Sequence, residues 1–327
     1  MSPKPRDATL PTLVAHADWG SQSAKRWLTR AHRQGERWLV RAPSPVATPD
    51  RLLAALAAEA GPRGAVLSGF DFPIGLPLAY ARRARVRAFR TLLPSLGEPF
   101  FEVAERPEEI SILRPFYPAR PGGTSQSQLV EGLGVAGMEE LLRVCERATP
   151  TRRAAAPLFW TLGAQQVGKA AISGWRDALI PALRAGLDVA LWPFEGSLAE
   201  LLARGRVVVA ETYPAEAYGH LGLDLAAVSE GGPKGKRVQA VRAAQAPRVL
   251  EFTTGLGLEL APELHAALAD GFGARADGED RFDSVIALLG MLGVVQGRRP
   301  AGEPGDPEIR QIEGWILGQD PPPAHGS

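Results

Sequence analysis

The chain has 327 residues, with 37 lysines and arginines against 36 acids, a formal charge of +1. That balance offers no whole-chain electrostatic case for a nucleic-acid-coating protein, although a local basic channel stays open. A single cysteine, Cys145, excludes an intrachain disulfide framework and a cysteine-rich zinc site, while 45% hydrophobic and 22% charged residues are ordinary for a folded globular chain.

Two compositional habits lower the weight of other signals. There are 36 glycines and 29 prolines, and only five of the basic residues are lysine. Arginine clusters therefore say less here than they ordinarily would. Residues 1–12 carry Pro3, Pro5 and Pro11 without an apolar core and read as a flexible tail, not a signal peptide. The longest strongly apolar run, 285–295, is too short to span a bilayer. The expectation is a cytoplasmic protein with no membrane contact and an undetermined oligomeric state.

The first element is the apolar run from Leu13, which stops at Asp18 before Trp19-Gly20 and reads as a buried strand. Segments 24–31 and 36–42, separated around Gly35, read as a hairpin. Thr48 or Asp50 is placed to cap a helix over RLLAALAAEA, which Gly61-Pro62 ends. Residues 65–71 read as a second buried strand, again ending in an acid, Asp71. The prolines Pro73 and Pro77 prevent its continuation.

Residues 78–93 read as an arginine-rich helix. The stretch 94–160 reads as an irregular insertion with one helix at 138–147. Helices follow over 162–186, then a strand at 187–194 and a short helix at 198–203. Val207 to Glu211 is a further buried strand ending in an acid. Helices are expected at 236–246, 262–270 and 281–296, and a Pro/Gly-rich segment from 300 to 327.

The informative pattern is the recurrence of acids at the carboxyl ends of buried strands: Asp18, Asp71 and Glu211. Ligands gather at strand carboxyl ends in open α/β sheets. One such acid alone is commonly a turn residue, but three on neighbouring strands would repel one another, and a hard divalent cation resolves that repulsion. Asp280 and Asp283, spaced i,i+3 at the start of a helix, lie on one helical face and are placed to join them. Either can also serve simply as an N-cap.

The segments HADWGSQSAKRW, SGFDFPIGLP, ETYPAEAYGHLGL followed by GKR, and DGEDRFDSVIALLG occur in that order between about residues 13 and 297. Together they resemble domain of unknown function family 429, described as predicted nucleases with a ribonuclease H-like fold. The resemblance implies a mixed five-stranded sheet in the order 3-2-1-4-5 flanked by helices, occupying residues 13–299 with the 94–160 insertion after the fourth strand. The strand, hairpin, helix, strand order read above agrees with it independently. By that resemblance Asp18, Asp71 and the Asp280/Asp283 pair match the acids of the related Holliday junction resolvases in type and order, and Glu211 belongs to the family's own motif. Asp283 is followed by serine where that pattern has alanine.

These residues point to a metal-dependent phosphodiester hydrolase, a nuclease, with two Mg²⁺ or Mn²⁺ ions held by Asp18, Asp71, Glu211, Asp280 and Asp283, and Asp18 bridging them. Nucleic acid is the expected partner. Lys25, Lys236 and Arg237, with Arg82 and Arg85 from the arginine helix, are candidate phosphate contacts, and each has a solvated surface as its plain alternative. Trp19 and Tyr213 could stack bases, with core packing the simpler assignment. His16 reads as a packed strand residue.

Other motifs are weaker. Gly132, Gly134 and Gly137 fit a dinucleotide fingerprint without a strand before them, and Gly231 to Arg237 has the wrong spacing for a phosphate loop. Cys145 reads as a small core residue. Two other classes stay open: a non-catalytic ribonuclease H-like module binding nucleic acid or protein, and a small-molecule phosphate-ester hydrolase or phosphotransferase whose cleft the insertion narrows.

Overall fold

The computed structural model describes residues 10–148, 154–163, 167–225 and 235–321. The tail at 1–9, residues 231–234 of the glycine-rich segment and the end from 322 lie outside the described residues. The first strand, β1 (Leu13–Trp19), is buried along its whole length. Its alternation splits it between two core layers. Leu13, Ala15, Ala17 and Trp19 enter one layer, Val14 enters the other, and alternation puts His16 and Asp18 on the side of Val14.

The hairpin forms as β2 (Arg26–Gln34) and β3 (Arg37–Val40), with β4 (Ser44–Pro45) pairing back on β2. β5 (Val66–Phe70) lies parallel to β1 on its other side. Beyond it come β7 (Val207–Glu211) and, at the edge, β6 (Val189–Leu191), both parallel. At the opposite edge β8 (Leu258–Leu260) runs parallel to β3. The sheet therefore has eight strands in the order β6-β7-β5-β1-β2-β3-β8, with β4 beside β2. It is larger than the five strands expected. β8 has three residues, too few to show a period in sequence.

Helices cover both faces. Leu52–Ala60 and the helical stretch 167–184, which includes a wide turn at Trp175–Leu179, belong to the layer under Leu13 and Trp19. The long helix Gly278–Val295 crosses β1 and β2 on the other face. It is pinned there by a hydrogen bond between Ser284 and Thr29 hydroxyls at 2.7 Å. Neither Thr48 nor Asp50 caps through its side chain, because the chain enters Leu52–Ala60 through a 3₁₀ turn at Pro49–Arg51.

Two helix expectations are corrected. The arginine-rich segment is two short helices, Leu78–Arg83 and Phe89–Leu92. Between them Arg85 adopts φ 56°, and the Val86 amide reaches back to the Ala81 carbonyl at 2.8 Å. That is the geometry of a left-handed helix stop, with arginine where glycine is usual. The helix expected at 138–147 is instead two 3₁₀ turns, Met138–Leu141 and Val144–Glu146. The chain extends between them because Arg143 turns into the interior.

The regular helix of this region is Gln126–Leu133, started by a reciprocal cap between Ser125 and Gln128 and ended at Gly134 with φ 64°. Gly132 and Gly134 thus serve a helix and its stop. The 94–160 segment is also no loose appendage. Phe100, Phe116 and Phe159 join one aromatic cluster in the core, with ring centroids 5.6 and 5.2 Å apart along the chain of contacts. Likewise the segment after 300 buries Trp315, Ile316 and Leu317, and the Leu317 amide bonds the Glu211 carbonyl at 2.8 Å.

Among the described residues no helix is long and apolar enough to cross a membrane. The packing of Gly278–Val295 on the sheet relies on Gly69 in β5. A Cβ there would lie 2.5 Å from Met291 Sδ and 2.9 Å from Thr212 Cγ2. Gly69→Ala is expected to lower stability by about 1–3 kcal/mol through overpacking, as measured by urea unfolding.

Candidate functional site

Parallel pairing of β1 with β5 sets Ala17 opposite Phe70. One step further along both strands are Asp18 and Asp71, so register alone brings two carboxylates together at the carboxyl ends of two central strands. The Trp19 amide donates to Asp71 Oδ1 at 2.7 Å. Asp283 arrives from the helix packed over β1, and Asp280 lies one turn earlier on the same face. Asp18 and Asp283 are buried, and Asp71 and Asp280 are half-buried.

These four acids line one cleft of about 650 Å³ together with Lys25, Lys236, Arg237 and Glu279. The electrostatics reflect the crowding. Burial raises the Asp18 carboxyl well above its usual range, and the charges of Asp71, Asp283 and Asp280 push the same way. Burial brings Asp71 to about 6 despite the opposing Trp19 amide, and burial with the Asp283 charge brings Asp280 to about 6. Asp283 is also raised by burial, with Lys236 working against the shift. Lys236 Nζ contacts Asp283 Oδ2 and lies 3.2 Å from Glu279. The Tyr218 hydroxyl donates to Asp283 Oδ1.

Tyr218 and Glu279 were not singled out in the sequence. Glu279 is four residues before Asp283, a spacing that shares a helical face and would have marked it. Tyr218 reaches Asp283 only through packing of the helix Pro214–His220 against Gly278–Val295, for which one sequence has no local signal.

Other expected site residues are placed elsewhere. Glu211 is absent from the residues lining the cleft. Its two oxygens are held by Arg143 at 2.6 and 2.7 Å, and Oε2 also accepts from the Ile74 amide at 2.6 Å. Arg143 also donates to Glu146 at 2.9 Å and to the Glu313 carbonyl at 3.0 Å. Glu211 is thus the sheet's share of a buried ionic clasp that ties the insertion and the C-terminal segment to β7. Arg82 pairs with Glu308 at 2.6 Å, Arg85 is exposed in the helix stop, and neither lines the cleft.

Trp19 is buried, edge-on to Phe70 and Phe72 and under the Arg26 guanidinium, so core packing accounts for it. Tyr213 is half-buried at the cleft wall. His16 bonds Thr212 Oγ1 at 2.8 Å, and burial lowers it to about 3, which keeps it neutral. Burial raises Cys145 well above the usual thiol range, consistent with a packed, unreactive residue. No described residue of 94–160 lines the cleft, so the described part of the insertion does not narrow it.

A divalent cation implied by this acidic set can be tested against the donors present. Carboxylate oxygens are the chemistry that Mg²⁺ and Mn²⁺ prefer, and burial of like charges leaves the cleft short of positive charge. Among the described residues, however, no three histidine, cysteine or acidic side chains converge into a ready-made cation cage. The set fits in donor type, with Lys236 already supplying a cation to Asp283.

No protein-family model, curated protein or solved structure matches the chain.

Two predictions follow from the charges. Asp71 and Asp280 hold their protons more tightly when folded, with values moved from 3.8 to about 6. The folded state therefore carries extra protons across that window, and their contribution to stability is lost as pH rises through it. Asp71→Asn should flatten the fall in unfolding free energy between about pH 4 and pH 6 in urea titrations. Arg143→Met strands Glu211 and Glu146 in the interior and should cost about 3–5 kcal/mol by urea unfolding. Adding Glu211→Gln should recover part of that loss.

Proposed function

We propose that the protein is a metal-dependent phosphodiester hydrolase, with nucleic acid as its substrate class. The observation that carries the reading is the convergence of Asp18, Asp71, Asp280 and Asp283 on one cleft that Lys25, Lys236 and Arg237 also line. Acids of that kind suit divalent cations, and the flanking cations suit the phosphates of a polyanion.

A ribonuclease H-like core, as the resemblance to family 429 implies, is supported by the contiguous strands β3-β2-β1-β5-β7 within the larger sheet. In that run the strand carrying Asp18 is central, and the neighbouring parallel strand leads to Asp71.

In this reading Asp18 and Asp71 would hold the cation at the strand ends, with Asp280 and Asp283 completing the acidic wall. A bound divalent ion would supply Lewis-acid activation and charge neutralisation for attack of water at phosphorus. Tyr218 and Lys236 fix the Asp283 carboxylate. Lys25 and Arg237 are both exposed at the rim, where they would reach phosphate oxygens, and Arg237 there also lies 3.8 Å from Glu279. His16 takes no proton, being buried and neutral.

One observation favours a second reading. A cleft of about 650 Å³ is of the size that encloses small ligands. A small phosphate ester is therefore the alternative substrate for the same residues.

The test is cleavage of labelled single- and double-stranded DNA, RNA, an RNA/DNA hybrid and a four-way junction, with a phosphate-ester panel alongside, in Mg²⁺, Mn²⁺ or chelator. Cation-dependent cleavage of a nucleic acid is expected. Asp18→Asn should lower it by roughly 10²–10³-fold, the scale of removing one preorganised charge from a dry site. Turnover of phosphate esters alone would select the second reading. Absence of any cation-dependent turnover by the folded protein would overturn both.

A further inference from the structure

We infer that Lys236 occupies the place of a second cation in this cleft, so that the site takes one divalent ion and one fixed ammonium. The inference rests on the hydrolase reading above and replaces the two ions expected from the sequence with one.

The first support is the division of the carboxylates. Asp283 has both oxygens engaged, Oδ1 by the Tyr218 hydroxyl and Oδ2 by Lys236 Nζ. The same ammonium lies 3.2 Å from Glu279 and 5.7 Å from the centre of the Tyr218 ring. A cation with two carboxylates and an aromatic face around it fills the position an ion would otherwise take on the helix side. On the strand side, Asp71 has one oxygen committed to the Trp19 amide. Asp18 lies near the end of the neighbouring strand, and Asp280 and Asp283 line the same cleft beside it. The unmet demand for positive charge is therefore at Asp18 and Asp71.

The second support is how Lys236 is held. It lies in a single 3₁₀ turn, Gly235–Arg237, which on its own would let the side chain wander. The buried Arg242 fixes it, donating Nη1 to the Lys236 carbonyl at 2.5 Å while its other nitrogens bond the Gly271 and Gly273 carbonyls at 2.8 and 2.7 Å. A lysine anchored through its own backbone is placed as a component of the site, unlike a rim lysine.

The third support is charge. Five carboxylates line the cleft, Asp18, Asp71, Glu279, Asp280 and Asp283, against three cations, Lys25, Lys236 and Arg237. With all of them ionised, as a bound cation requires, the surplus is two negative charges, which a single divalent ion neutralises. A second ion would leave the empty cleft with two positive charges to hold apart in a partly buried space.

The experiment is Mn²⁺ binding to the full chain without substrate, followed by the loss of the free-ion signal in electron paramagnetic resonance. Wild type should bind one Mn²⁺ per chain, Lys236→Met two, and Lys236→Arg one, with circular dichroism reporting the fold of each. Lys236→Gln, which keeps a donor for Asp283, carries the same expectation of two if the methionine variant does not fold. Two ions in wild type, or one in both wild type and the uncharged variants, would overturn the role of Lys236 while leaving a cation-dependent hydrolase standing. No ion in any folded variant would overturn the hydrolase reading and this inference with it.

Discussion

The structure turns on the parallel pairing of β1 with β5. Once Ala17 is opposite Phe70, Asp18 and Asp71 must meet at the carboxyl ends of two central strands, where water is partly excluded and like charges are poorly screened. Much of the surrounding architecture answers that one constraint. The Trp19 amide is turned toward Asp71, and the long helix Gly278–Val295 delivers Asp283 with its own lysine and tyrosine partners. Each device moderates the repulsion, and none removes it. Carboxyls that burial and one another raise, gathered in an open cleft, are what a purely structural interior avoids.

The contrast with the second buried acidic cluster is instructive. Glu211, Glu146 and Glu313 are also buried, or nearly so, and also gather at a strand end. There the guanidinium of Arg143 meets Glu211 and Glu146, the Ile74 amide adds a second donor to Glu211, and the Val144 and Leu78 amides meet the two oxygens of Glu313. Acids satisfied in this way act as a clasp, holding an insertion and a C-terminal segment against the sheet. Breaking such a cluster is costly, although forming it contributes little net stability. Both clusters gather carboxylates at strand ends, and they differ in how fully the protein supplies the counter-charge itself.

Much of this was legible in the sequence. Apolar runs ending in Asp18, Asp71 and Glu211 located three central strands, because a buried parallel strand must be apolar until its polar end. The i,i+3 spacing of Asp280 and Asp283 placed both on one face of a helix that does form. The errors have separate physical causes. The arginine-rich segment breaks at Arg85 because its backbone takes a left-handed conformation that glycine usually marks. The helix expected at 138–147 yields to burial of Arg143, a tertiary demand that overrides local propensity.

The sequence by itself determined the strand ends, the acids that terminate them and the helix that carries two more, since periodicity and burial are local properties of the chain. Only the tertiary structure decided which acids share a cleft. It turned Glu211 onto Arg143, 68 residues away in the chain, and brought Lys236 onto Asp283 across 47. Counter-charges are chosen by proximity in space, and a side chain's partner across such distances leaves no mark on the residues that precede or follow it.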